Sequence, residues 1–135
     1  MSTILLSIKP EYVSKILDGT KKYEFRRNLA QEKVTKILIY STAPVMRVVG
    51  EAEVIDTISL KPSPLWEATK EAAGISRANF RAYFQGCQLA HAYKLGKIVQ
   101  YEVPKTLLHY GITQPPQSFV YIERKTDKIL SIEDK

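Results

Sequence analysis

Three side chains stand close enough in the chain to act together: Lys21, Glu24 and Arg26. They lie in the stretch Gly19 to Arg27, where seven residues, Lys21, Lys22, Tyr23, Glu24, Phe25, Arg26 and Arg27, are charged or aromatic. A lysine removed from water can lose its proton and serve as a base, whereas a charged lysine holds phosphate. A carboxylate nearby favours the ammonium form, so Glu24 tilts Lys21 toward binding. Arg26 offers a planar fork of donors to a phosphate or a base edge. A purely structural Glu24–Arg26 or Lys21–Glu24 ion pair is equally consistent with the spacing.

The elements around this stretch follow from its pattern. Tyr12, Val13, Ile16 and Leu17 recur at helical spacing, which predicts a helix over residues 11–18 with one buried face. Gly19 is suited to end it. From Lys22 the chain reads as a strand, so Tyr23 and Phe25 face a core while Glu24 and Arg26 face a groove. Lys21 stands at the strand's entrance.

Other side chains carry weaker signals. Ser41, Thr42 and Ser118 fall in turns, where hydroxyls ordinarily satisfy neighbouring backbone groups. Trp66, Phe80, Tyr83 and Phe84 have the chemistry to stack on bases, but their helical spacing points to packing. Cys87, His91 and His109 give no metal-ligand pattern, and Cys87 follows a helix instead of opening one. Glycine fingerprints for nucleotides, EF-hands, His-Glu-x-x-His and serine-hydrolase elbows are absent from the sequence. No metal or cofactor is expected.

Before that stretch, residues 4–8 read as an apolar central strand. After it come a polar loop (28–32), a strand (36–40) and a longer strand (45–58) bent near Gly50. Ser63 and Pro64 are placed to start a helix over 65–73, stopped by Gly74; a second helix runs from Ser76 to about Phe84. Residues 89–94 and 97–103 read as two strands around Leu95-Gly96, Pro104 begins a connector, and 119–123 form a last strand. Residues 124–135 make a charged tail that either adds an edge strand or frays. The expectation is a single α+β domain over 1–135: a small β-barrel with helices at its ends and a two-helix insertion.

The 135 residues include 20 Lys and Arg against 14 Asp and Glu, a net charge of +6. That balance favours a polyanionic partner. No apolar run is long enough to span a membrane, and the N-terminus lacks the basic lead of a secretion signal. A lone cysteine fits a reducing cytoplasm. Oligomeric state is not legible.

The pattern Gly19-x-Lys21-x-x-Glu24-x-Arg26 resembles the signature of the ASCH domain family, a branch of the PUA-like superfamily. Its flanks agree: Leu6-Ser7-Ile8-Lys9-Pro10, Ile39-Tyr40-Ser41-Thr42-Ala43-Pro44, Val49-Gly50-Glu51 and Pro115-Pro116-Gln117-Ser118-Phe119. The resemblance implies a PUA-like barrel whose cleft accepts RNA or a nucleotide or nucleoside. The site would comprise Lys9, Lys21, Glu24, Arg26 and Arg27, with Ser41 and Ser118 at the rim. A binding module is the leading expectation. A metal-independent ribonuclease, with Lys21 and Glu24 transferring protons and Arg26 stabilising the phosphorane, is the alternative. A third is the amidohydrolysis of N4-acetylcytidine found in one branch, which resembles a Lys–Thr–Glu site. Here Glu24 stands in place of the threonine, and Ala73-Gly74-Ile75 lies where the further glutamate would fall.

Overall fold

The computed structural model describes residues 1–122. Strand β1 (Ser2–Ile8) leads into helix α1 (Pro10–Leu17), followed by β2 (Tyr23–Arg26), β3 (Val34–Ser41) and β4 (Arg47–Leu60). Helices α2 (Pro62–Thr69) and α3 (Arg77–Tyr83) come next, then β5 (Ala90–Lys105) and β6 (Phe119–Ile122). The six strands form one mixed sheet in the order β2-β5-β4-β3-β1-β6. Among the described residues only the β1–β3 pair is parallel, and it encloses α1 and β2 in its crossover. The α+β expectation is therefore met, with a six-stranded sheet, but the expected barrel is not closed by hydrogen bonding among the described residues, which leaves β2 and β6 as edges. The expected tail over 124–135, and the end of the last strand at Glu123, lie outside the described residues.

Side-chain alternation explains why β1 and β3 are so apolar. Ile4, Leu6 and Ile8 join Ile37 and Ile39 in one core with Val13 and Ile16 of α1. Leu5 joins Leu38, Tyr40 and Val48 in a second core on the opposite face. Strands buried on both faces read as unbroken hydrophobic runs. A third core seats the two-helix insertion: Leu65, Ala73, Phe80 and Phe84 pack on Phe25, Ala90 and Ala92.

Three boundaries differ from expectation. Helix α2 begins at Pro62 and not after Ser63, because Lys61 takes the extended N-cap conformation and the ring of Pro62 is preset for the first helical position. Residues 89–94 and 97–103 are not two strands. All but Leu89 belong to the continuous 16-residue β5, whose register with β4 shifts around Leu95-Gly96 without reversing. A side chain at Gly96 would collide with Glu53 and Ile55, so glycine permits a bulge there. Pro104 accordingly lies inside β5, near its end. The bend read at Gly50 is present as a register shift between Val48 and Gly50, where a Cβ would meet the Val99 carbonyl at 2.5 Å.

Candidate functional site

Strand β2 is only four residues long, yet three elements hold it. It pairs with β5, placing Glu24 opposite Tyr93 and Phe25 opposite Ala92. The Lys21 amide donates to the Lys15 carbonyl of α1, and the Lys22 amide donates to the Ala72 carbonyl of the insertion. The residues before and within β2 are thus fixed at the junction of α1, β5 and the insertion. The expected alternation holds in part, since Phe25 packs on the insertion yet also borders the cavity that Glu24 and Arg26 line. Phe25 is buried and meets Phe80 edge-on at 5.1 Å. Tyr23 is only half-buried beside it.

Glu24 and Arg26 line a cavity of about 370 Å³ between α1, β2 and α3. Ser7, Lys9, Glu11 and Tyr12 form its β1–α1 wall, and Ile75, Asn79 and Tyr83 its insertion wall. Arg26 donates through Nε and Nη2 to Glu24 Oε2 at 3.0 and 2.6 Å, and through Nη2 to the Ser7 carbonyl at 3.1 Å. Of the two structural ion pairs the spacing allowed, the Glu24–Arg26 one forms. Glu24 is more buried, at 6% exposure, than a groove-facing charge would suggest. That burial is tolerable because the guanidinium compensates the carboxylate with two charge-assisted bonds. Glu24 Oε1 and Arg26 Nη1 make no hydrogen bond among the described residues.

Lys21 also lines this cavity, and its surroundings differ from expectation. Its side chain is buried at 3% exposure, with Nζ donating to the Ala73 carbonyl at 2.7 Å. The ammonium nitrogen lies 4.8 Å from the centre of the Phe25 ring and 5.2 Å from that of Tyr12. Among the described residues no carboxylate is within ion-pair distance of it. Loss of water around Nζ outweighs the attraction of Glu24, and the Lys15 and Arg26 cations add repulsion, so its pKa falls from the ordinary 10.5 to about 8. Glu24 does favour the ammonium form, as expected, but it does not keep the pKa at its ordinary value, and at about 8 Lys21 is still mostly charged at neutral pH. Glu24 is engaged by Arg26, and desolvation prevails.

Gly74, unsuspected from sequence as a site residue, makes this burial possible. Its φ is +65°, and any Cβ there would overlap the Lys21 Cβ and Cγ. The aliphatic stem of Lys21 fills the space that the glycine leaves. Lys15 reaches the neighbouring Gly74 carbonyl at 3.4 Å, so two lysines grip one turn of the insertion.

The remaining predicted residues divide. Lys9 is exposed on the cavity wall at the N-cap of α1. Arg27 stands outside the lining, its guanidinium 4.4 Å over the ring of Tyr83 and its Nε donating to the Tyr83 carbonyl at 2.8 Å. Ser41 is buried at the end of β3, opposite Ile8 in the β1 register, and does not line the cavity. Ser118 is exposed, two residues after the Pro116 carbonyl that accepts from Ser7 Oγ at 2.7 Å. Tyr83, assigned to packing from its spacing, contacts Phe84 but also faces the cavity. Trp66, Phe80 and Phe84 do pack within the insertion core. His91 pairs with Ser59, its Nδ1 2.7 Å from the hydroxyl, away from the cavity. Ser7, Glu11, Tyr12 and Asn79 were missed. For Ser7 the signal was its place in the strand end before Pro10; for Asn79 there was none, because it reaches the cavity only through the packing of α3.

Comparison with known proteins accords with this architecture. A model of the ASCH domain matches residues 6–106, and the chain belongs to that family. An "ASCH domain-containing ribonuclease" of Zymomonas mobilis is 29% identical over 133 residues, covering 95% of this chain and 90% of that one. The crystal structure of a tyrosine-to-phenylalanine mutant of the Zymomonas mobilis ASCH protein superposes with a TM-score of 0.85 at 28% identity, covering 98% and 99% of the two chains. The large ribosomal subunit protein uL22 of Ureaplasma parvum is 30% identical over 122 residues; this chain spans 39% of that protein's length. Among the described residues no helix is long and apolar enough to cross a membrane.

Proposed function

We propose that this member of the ASCH domain family binds single-stranded RNA by admitting one nucleotide into the cavity between α1, β2 and α3. The observation that carries the reading is the Glu24–Arg26 pair on the cavity wall, with a carboxylate oxygen and guanidinium donors left over beside one another. Such a pair accepts from a base amino or imino group and donates to a neighbouring ring nitrogen or carbonyl. The cavity volume falls within the range of small-molecule sites, roughly 300–1,000 Å³. Lys9, Lys21 and Arg26 face Glu11 and Glu24 across it, so the interior is near electroneutral and suits a base better than a phosphate. The phosphates run outside, past Lys9 and Arg27. This modifies the basic-cleft expectation: cations position the strand and the cavity reads the base.

The reading takes residues 1–135 as one cytoplasmic ASCH domain, with 124–135 an appended tail. It takes the six-stranded sheet as the counterpart of a PUA-like barrel, a reading supported by the register shifts near Gly50 and Gly96, where bulges bend a sheet. Ser118 acts at most from the rim, and buried Ser41 takes no part in it.

A second reading, metal-independent ribonuclease, is favoured by the name of the Zymomonas relative and by the state of Lys21. A neutral Lys21 would take the proton of a ribose 2′-hydroxyl, the oxygen would attack phosphorus, and the 5′-oxygen would leave, with Arg26 offsetting the added charge. Amidohydrolysis has less support, since position 24 carries no hydroxyl and residues 73–75 no carboxylate.

Fluorescence anisotropy with labelled single-stranded RNA tests the binding reading. Lys9→Ala and Arg27→Ala should each weaken binding and make the logarithmic salt slope shallower by about 0.7. Glu24→Gln should change base preference and leave the slope intact. Wild-type affinity and preference in folded Lys9→Ala, Arg27→Ala, Arg26→Ala and Glu24→Gln would sink the reading. Gel analysis of the same RNA decides the second: cleavage lost in Lys21→Ala supports it, and intact RNA with the wild type refutes it.

A further inference from the structure

The same cavity contains an amine in an unusual position. Most lysines that are taken out of water are paired with a carboxylate, which holds them protonated. Lys21 is not. The nearest candidate, Glu24, is committed to Arg26, and among the described residues the hydrogen-bond acceptor on Lys21 Nζ is the neutral Ala73 carbonyl. The faces of Tyr12 and Phe25 flank the nitrogen, and Lys21 is among the residues lining the cavity.

We propose that Lys21 is the nucleophile of a carbonyl-capture site, forming an imine with the aldehyde of an open-chain sugar that enters the cavity. The nitrogen lone pair attacks the aldehyde carbon, giving a carbinolamine. Its hydroxyl then leaves as water, and a carbon–nitrogen double bond remains. Nothing is oxidised or reduced, and the reaction needs no further reactant. Lysines desolvated in apolar pockets or set beside other cations are the ones that do this chemistry, because only the neutral amine attacks. Here both conditions meet: burial, and the cations Lys15 of α1 and Arg26 of β2. Glu11 of α1 and Glu24 of β2 are the carboxylates facing the cavity, and the two hydrogens of the expelled water are those the attacking amine gives up.

An aldehyde of this class has two sources: a free sugar phosphate, or a nucleotide in a strand that has lost its base. The second rests on the RNA reading, since the empty base position leaves room for the amine to reach the sugar; the first does not. The experiment incubates the full chain with ribose 5-phosphate in one arm, and in the other with a single-stranded oligonucleotide containing one abasic site. Sodium cyanoborohydride reduces any imine to a stable amine, and peptide mass mapping locates it. The expected result is an adduct on the peptide carrying Lys21, its rate rising with pH to a midpoint near 8. At neutral pH its neutral fraction exceeds that of an ordinary lysine by roughly two orders of magnitude, so Lys21 should be labelled well ahead of exposed Lys9 and Lys22. Arg26→Gln releases Glu24 to hold the ammonium, so the midpoint should move upward and labelling at neutral pH should fall several-fold. This variant, together with mapping of the wild type, decides the matter even where Lys21→Met fails to fold. Labelling spread over surface lysines, or none at Lys21 in either arm, overturns the proposal. Labelling in the free-sugar arm alone supports the amine's role while counting against the strand as its source.

Discussion

Replacing Lys21 by methionine gives a direct reading of what burying an amine costs this fold. In the unfolded chain Lys21 protonates at the ordinary 10.5; in the fold it does so at about 8. Between those pH values the unfolded state binds one proton more than the native state, so native stability rises with pH across the window. Above 10.5 the amine is neutral in both states and the penalty vanishes. Below about 8 it is charged in both, and the penalty is complete and constant. Each pH unit of difference is worth about 1.4 kcal/mol, so the full window amounts to about 3 kcal/mol. The side chain is almost wholly buried, so solvent screening does not reduce this figure much. Methionine has a similar length and no charge, but it leaves the Ala73 carbonyl without its donor, at a cost of about 1–3 kcal/mol. At neutral pH the two effects oppose, and the variant should lie near the wild type in stability. The informative quantity is the difference between the two proteins as pH changes. Urea unfolding at pH 7.5, 8.5, 9.5 and 10.5 should show the wild type gaining about 3 kcal/mol on Lys21→Met. Tyrosine ionisation, which affects both chains alike, cancels in the difference. Two parallel stability curves would mean that Lys21 protonates at its ordinary pH in the fold, and the account of its burial would fail.

The other predictions probe the supports of the site. Gly74→Ala should destabilise the fold by about 1–3 kcal/mol, because the position needs φ of +65° and the new methyl group displaces the Lys21 stem; thermal melting measures the cost, and an unchanged midpoint would contradict the packing described. Phe80→Ala should cost about 3–5 kcal/mol in chemical unfolding, since Phe80 is fully buried among Trp66, Phe25 and Phe84. Arg26→Ala should be costlier to stability than Glu24→Gln with Arg26 intact, because the first leaves a buried carboxylate without its cation; equal melting midpoints would argue that the pair is solvated. Gly50→Ala should disturb the β4–β5 pairing, with loss of hydrogen-exchange protection at Gln100 and its neighbours as the readout.

Much of this protein is written in its local sequence. The helical spacing of Tyr12, Val13, Ile16 and Leu17, and the apolar runs through residues 4–8 and 36–40, are consequences of period and burial, and they identified α1, β1 and β3. The eight-residue pattern from Gly19 to Arg26 placed Glu24 and Arg26 on one face of a strand and Phe25 on the other for the same reason. Elsewhere, local signals were insufficient. Leu95-Gly96 resembles a turn until Glu53 and Ile55 of the neighbouring strand require a residue without a side chain in the middle of a strand. How far burial lowers the pKa of Lys21 was not legible from sequence, where Glu24 is its near neighbour in the chain. Which cation a carboxylate serves depends on geometry, and the fold presents Glu24 to Arg26. Asn79, Tyr83 and Gly74 enter the site from a segment more than 45 residues away in the chain, brought there by the packing of Phe80 and Phe84 on Phe25. Periodicity and turn chemistry are local and survive in one dimension; desolvation and ion pairing depend on what surrounds an atom, and only the tertiary structure supplies that.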